Sequence, residues 1–117
     1  MIQVSYLETQ DIWSLAPEGR IDTAAARAVE DAFNGLLEEG HTHIVVDCGN
    51  VIYMASAGLR VLMLGLRRAR TMGGDVRLAQ VSANVLQAFR MSGLDKLFVI
   101  HPTVAEAVQE LRRSTEA

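Results

Sequence analysis

Residues 43–79 read HIVVDCGNVIYMASAGLRVLMLGLRRARTMGGDVRLA, and this stretch decides the fold. It opens with His43-Ile-Val-Val-Asp-Cys48, which is short, β-branched and apolar without alternation. A strand buried on both faces has that pattern, because neither side meets water. Gly49 and Asn50 turn the chain, and a second apolar patch runs from Val51 to Met54. The period then changes. Leu59, Leu62, Leu66 and Ala69 recur at helical spacing, and Gly73-Gly74 closes that helix. Asp75 to Ala79 alternates weakly and predicts another strand.

Toward the amino terminus, residues 2–7 alternate with Ile2, Val4 and Tyr6 on one face. Residues 11–17 alternate again, with Trp13, Leu15 and Pro17 sharing a face and Glu8 to Gln10 as the turn between. Period two over adjacent stretches predicts a pair of strands. Pro17 cannot donate to a ladder and belongs at a strand end or an edge. Asp22 stands before an alanine-rich run and predicts a helix N-cap. Ala25, Val29, Ala32, Phe33 and Leu36 give that helix its apolar face, and Gly40 ends it.

Toward the carboxyl terminus, Ser82 caps a short helix bearing Val85, Leu86 and Phe89, stopped by Gly93. Leu97 to Ile100 predicts a last short strand. Thr103 and Glu106 form a capping box ahead of a final helix. The predicted order is β-β-α-β-α-β-α-β-α. Strands alternating with helices imply an α/β fold, here a mixed sheet of about five strands with helices packed on it. Its 117 residues suit a single domain over 1–117.

Composition removes several function classes. Half the residues are apolar and the formal net charge is −3. Nucleic acid is a poor partner for such a chain, because phosphate binding needs a clustered basic surface. The densest basic run, Arg67, Arg68 and Arg70, is spread by helical spacing over a solvated face. No stretch approaches the roughly 20 apolar residues of a membrane span, and the first ten residues lack the pattern of a secretory leader. The single cysteine, Cys48, makes no internal disulfide and no cysteine metal cage. A cytoplasmic domain without metal or cofactor is the expectation.

No catalytic constellation assembles either. His41, His43 and His101 have no second ligand at metal-binding spacing. Cys48 ends a buried strand and reads as core. The sparse glycines of SAGL and GLDKL do not make a phosphate-binding loop. An enzyme is not expected.

The informative segment is Met54-Ala-Ser-Ala-Gly-Leu59, where a buried strand delivers Ser56 to a helix start. Taken alone, Ser56 reads as a helix cap, its hydroxyl accepting from the amide of Gly58 or Leu59. Ala55 and Ala57, however, leave that hydroxyl sterically open, and Gly58 allows close backbone approach. Ser82 and Ser92 lie near other helix ends and read as capping or turn residues. The helix after Ser56 is apolar almost all round at Val61, Leu62, Met63 and Leu64, so it is either deeply buried or docks a partner. Leu62 is expected in the core and Met63 on the exposed contact face.

The segment from Val45 to Leu78 resembles the core of the STAS domain of bacterial anti-sigma-factor antagonists. Gly19-Arg-Ile-Asp22 and Met91-Ser-Gly-Leu-Asp-Lys-Leu-Phe98 resemble further family motifs, in the same order and spacing. The resemblance spans roughly residues 2–110. It implies that Ser56, two residues before the motif glycine, accepts phosphate from a partner kinase. It also implies a partner surface, here Asp22, Ala55, Ala57, Gly58, Arg60 and Met63. The implied partners are an anti-sigma factor with a histidine-kinase-like ATPase fold and a PP2C-type phosphatase. In that scheme the unphosphorylated domain binds the anti-sigma factor and frees a sigma factor. The acidic residue often found before the serine is replaced by Ala55, and the second hydroxyl residue by Ala57, which leaves Ser56 as the only local acceptor. The resemblance also leaves open a non-switching scaffold, of a stressosome-like or lipid-transport accessory kind, or a nucleotide-binding module.

Overall fold

The computed structural model describes the backbone of residues 2–6 and 12–116, and side chains from 12 to 114. Strand β1 is Ile2–Tyr6, β2 Ile12–Pro17 and β3 Gly19–Ile21; helix α1 is Thr23–Glu38. There follow β4 (His43–Asp47), β5 (Val51–Met54), α2 (Ser56–Thr71), β6 (Asp75–Ala79) and α3 (Ala83–Ser92). A turn of 3-10 helix at Leu94–Lys96, β7 (Ile100–His101) and α4 (Val104–Glu116) complete the chain.

Five strands form one mixed sheet in the order β1-β2-β4-β6-β7. β1 runs antiparallel to β2, and the remaining neighbours are parallel. The predicted pair of amino-terminal strands is thus present. Its turn at Glu8 to Gln10, and the side chains of Ile2, Val4 and Tyr6, lie outside the described residues. β4 sits at the centre, and Ile44, Val45 and Val46 are all fully buried. Ile44 and Val46 join the larger core with Val29, Phe33, Leu62, Leu66 and Phe89. Val45 faces the other way, into a smaller cluster with Ile12, Ala79, Ala107 and Leu111. Helix α4 therefore covers one side of the sheet and α1 to α3 the other, which is why β4 shows no alternation.

Two features differ from expectation. Gly19–Ile21 and Val51–Met54 form an additional two-stranded parallel sheet, β3-β5, pairing Ile21 with Met54. The run Leu97 to Ile100 is mostly not a strand. The 3-10 turn precedes it, Phe98 turns inward to meet Phe89 edge-on at 5.9 Å, and only Ile100–His101 pairs with Leu78 and Ala79.

The helix signals hold at residue level. The Asp22 carboxylate accepts from the Ala25 amide at 2.9 Å, and the Ser82 hydroxyl accepts from Val85 at 3.3 Å. Past Glu38, the His41 amide donates to Leu36 and that of Gly40 to Leu37, a Schellman closure. Replacing Asp22 by alanine leaves the Ala25 amide without its acceptor. A loss of about 1 kcal/mol is expected in a urea melt, with Asp22→Asn recovering most of it.

Candidate functional site

The site is built by β3 and β5. They run parallel, end level with one another, and each leads directly into a helix. The Ala55 amide donates to the Ile21 carbonyl at 3.0 Å, so the starts of α1 and α2 stand side by side. Gly58 makes this possible. A Cβ there would come within 2.8 Å of Met54 Cγ and 3.0 Å of Ile21 Cγ2, so a larger residue would lift the helix off both strand ends.

Ser56 lies at the first position inside α2, not at its cap. Ala55 holds the cap position, and its carbonyl accepts from Gly58 at 2.9 Å and Leu59 at 3.2 Å. The capping role read from the sequence is therefore corrected: those amides are already occupied by backbone. The Ser56 side chain is exposed and has no hydrogen-bond partner among the described residues. Asp22, also exposed, caps the neighbouring helix.

The remaining predicted site residues divide by burial. Arg60 is exposed on the turn after Ser56, and Ala57 is half-buried against the core. Met63 is likewise half-buried against the core, and the exposed aliphatic group is Leu64, at 42 %. Met63 stands one turn from buried Leu59 and three residues before buried Leu66, so its phase carries it inward. A shallow groove of about 290 Å³ runs between α1 and α2, with Ala26, Ala57, Val61 and Leu64 apolar and Arg27, Glu30 and Arg60 charged.

Sequence reasoning missed one surface here. On β5, Ile52 is 63 % exposed, and the ring of Tyr53 lies under the Arg20 guanidinium, 4.4 Å from its centroid. The arginine is the cross-strand partner of Tyr53 in the small sheet, so finding the pair required the β3-β5 register.

His41, His101 and Cys48 are tied into structure. His41 stacks on Trp13 at 4.3 Å and pairs with Glu39 at 3.4 Å, and Arg77 Nη1 donates to His101 Nε2 at 3.3 Å. Cys48 is buried, and that burial, with the charge of Asp47 beside it, pushes its thiol up to about 12. Among the described residues no group of three or more His, Cys, Asp or Glu side chains could hold a metal ion. Among them, too, no helix is long and apolar enough to cross a membrane.

The family model for the STAS domain matches residues 3–107. The chain belongs to the STAS domain family. A relative, the anti-sigma-F factor antagonist RsfB of Mycobacterium tuberculosis, is 26% identical over 113 residues, covering 95% of this chain and 90% of its own. The crystal structure of an anti-sigma factor antagonist from Mycobacterium paratuberculosis superposes with a TM-score of 0.83 at 22% identity, covering 96% and 95% of the two chains. The phosphorylated form of the Bacillus cell fate determinant SpoIIAA superposes at 0.75 with 20% identity, covering 94% and 98%. At those identities the two structures establish the shared STAS fold.

Proposed function

We propose that this STAS domain is an anti-sigma-factor antagonist switched by phosphorylation of Ser56. The observation that carries the reading is the Ser56 hydroxyl, exposed and unpartnered at the first position of α2, with Asp22 on the adjoining helix start. The unphosphorylated domain docks on an anti-sigma factor with a histidine-kinase-like ATPase fold and frees its sigma factor. That partner transfers phosphate to Ser56, and a PP2C-type phosphatase removes it. The relative RsfB, similar along nearly the whole chain, supports the role by its name.

The physics of such a switch is local. A phosphate brings about −1.5 to −2 charges to an exposed helix start. Among the described residues the amides of Ser56 and Ala57 have no backbone partner, so the folded domain tolerates the group. In a docked interface the phosphate must be desolvated beside Asp22, at a cost of roughly several kcal/mol. About 1.4 kcal/mol already changes affinity tenfold. Binding can therefore be toggled without refolding.

Calorimetric titration with the cognate anti-sigma factor tests the reading. Ser56→Ala is expected to bind like the wild type, and Ser56→Asp at least about tenfold more weakly. Incubation with that partner and ATP is expected to place one phosphate on Ser56 by mass mapping. Full affinity in Ser56→Asp, together with no phosphate on Ser56, rejects the proposal.

A further inference from the structure

The switch surface holds a second charge whose place relative to Ser56 is fixed by the helix. Arg60 follows Ser56 by four residues on α2, both side chains are exposed, and residues at that spacing stand on one face about 5–6 Å apart. Arg60 has no ion pair or side-chain hydrogen bond among the described residues. By contrast Arg68 reaches Asn34 and Arg70 reaches Asp75, so other cations of the same helix are engaged. The first turn of α2 carries no acidic side chain to occupy Arg60 from the amino-terminal side.

We infer that Arg60 is the internal partner of a phosphate on Ser56. The guanidinium forks onto two phosphate oxygens from one turn away, a geometry that arginine matches and a lysine point charge does not. The charges around the pair favour this direction. Asp22, at the start of α1, repels the phosphate from that side, whereas Arg27 and Arg60 line the groove together with Glu30. The pairing has a consequence for the switch. In the unmodified domain Arg60 is free to meet an acidic group of the partner. After phosphorylation it is neutralised by its own helix, so the modification withdraws a cation from the docking face as well as adding an anion. This assignment rests on the reading that Ser56 carries phosphate, and it concerns what holds that phosphate.

The test installs phosphoserine at position 56 of the full chain by genetic encoding, which needs no kinase. Phosphorus NMR then follows the second ionisation of the phosphate, near pH 6 in a free phosphoserine. It is expected to lie roughly half a unit lower in the wild type than in Arg60→Gln, with Arg60→Lys between them. The Arg60 side-chain resonances are expected to shift on phosphorylation, while those of Arg67 stay in place. Equal ionisation in wild type and Arg60→Gln, with Arg60 resonances unmoved, overturns the inference. Because the phosphoserine is incorporated during translation, that result is separate from a failure of any kinase to modify Ser56.

Discussion

Gly74→Ala is expected to destabilise the domain by about 3–5 kcal/mol, enough to remove much of the folded population at growth temperature. A Cβ at Gly74 would overlap the carbonyl oxygen of Thr42 and stand 2.5 Å from its carbonyl carbon. Both are backbone atoms, so no rotamer change relieves the contact. The same Thr42 oxygen accepts from the Asp75 amide at 3.0 Å, the bond beside which the β4-β6 ladder begins. Gly74 in turn donates to Ala69 at 2.8 Å and closes the end of α2. The substitution therefore forces apart the helix end and the central strand at once. Gly73 provides the control. Its φ is +84° with nothing within 4 Å of a Cβ, so Gly73→Ala incurs only left-handed backbone strain, about 1 kcal/mol. Thermal melts of the two variants are expected to differ by roughly 10 °C or more. Similar melting temperatures would show that β4 and α2 can separate without loss.

The contrast between those adjacent glycines shows where sequence is informative. Gly73-Gly74 was legible as a helix stop, but the division of labour was not, because Thr42 approaches from a distant part of the chain. The same distinction runs through the fold. Unbroken apolarity in β4 and the Leu59, Leu62, Leu66, Ala69 stripe are local patterns with local causes, and both point to the faces they bury. The β3-β5 pair is not local. Three residues, Gly19–Ile21, are too few to show a period, and exposed Ile52 and Tyr53 break the alternation of Val51–Met54. Only their pairing with each other, Gly19 with Val51, Arg20 with Tyr53 and Ile21 with Met54, makes strands of them. Leu97 to Ile100 has strand composition, yet burial of Phe98 against Phe89 claims most of it.

At the site, the junction holding Ser56 was legible because a buried strand passes into a periodic helix there. The identity of the cap was not. Serine is the better capping side chain, but register with Ile21 fixes the helix start one residue earlier, at Ala55. That displacement leaves the Ser56 hydroxyl exposed and without a hydrogen-bond partner among the described residues. Met63 was misplaced for a related reason: a helix apolar nearly all round gives composition no means of choosing between adjacent residues, and packing against the core chose Leu64 as the exposed one.

Cys48 is expected to react with iodoacetamide at pH 8 roughly three orders of magnitude more slowly in the folded domain than in the urea-unfolded chain. Only the thiolate reacts. With a folded pKa of about 12, roughly one thiol in ten thousand is ionised at pH 8, against about a quarter for an unfolded thiol near 8.5. Burial at 1 % exposure slows attack further. The same shift predicts an alkaline weakness. Between about pH 8.5 and 12 the unfolded chain has released this proton and the folded chain retains it. The folded state binds more protons there, so stability is intact below pH 8.5 and falls as pH rises, by at most about 1.4 kcal/mol per unit. Urea melts at pH 8, 9 and 10 are expected to show a steeper decline for the wild type than for Cys48→Ala. Parallel declines, or rapid alkylation of the native protein, would place the thiol in contact with solvent. A protonated, enclosed thiol immediately after β4 is held apart from oxidants that require a thiolate.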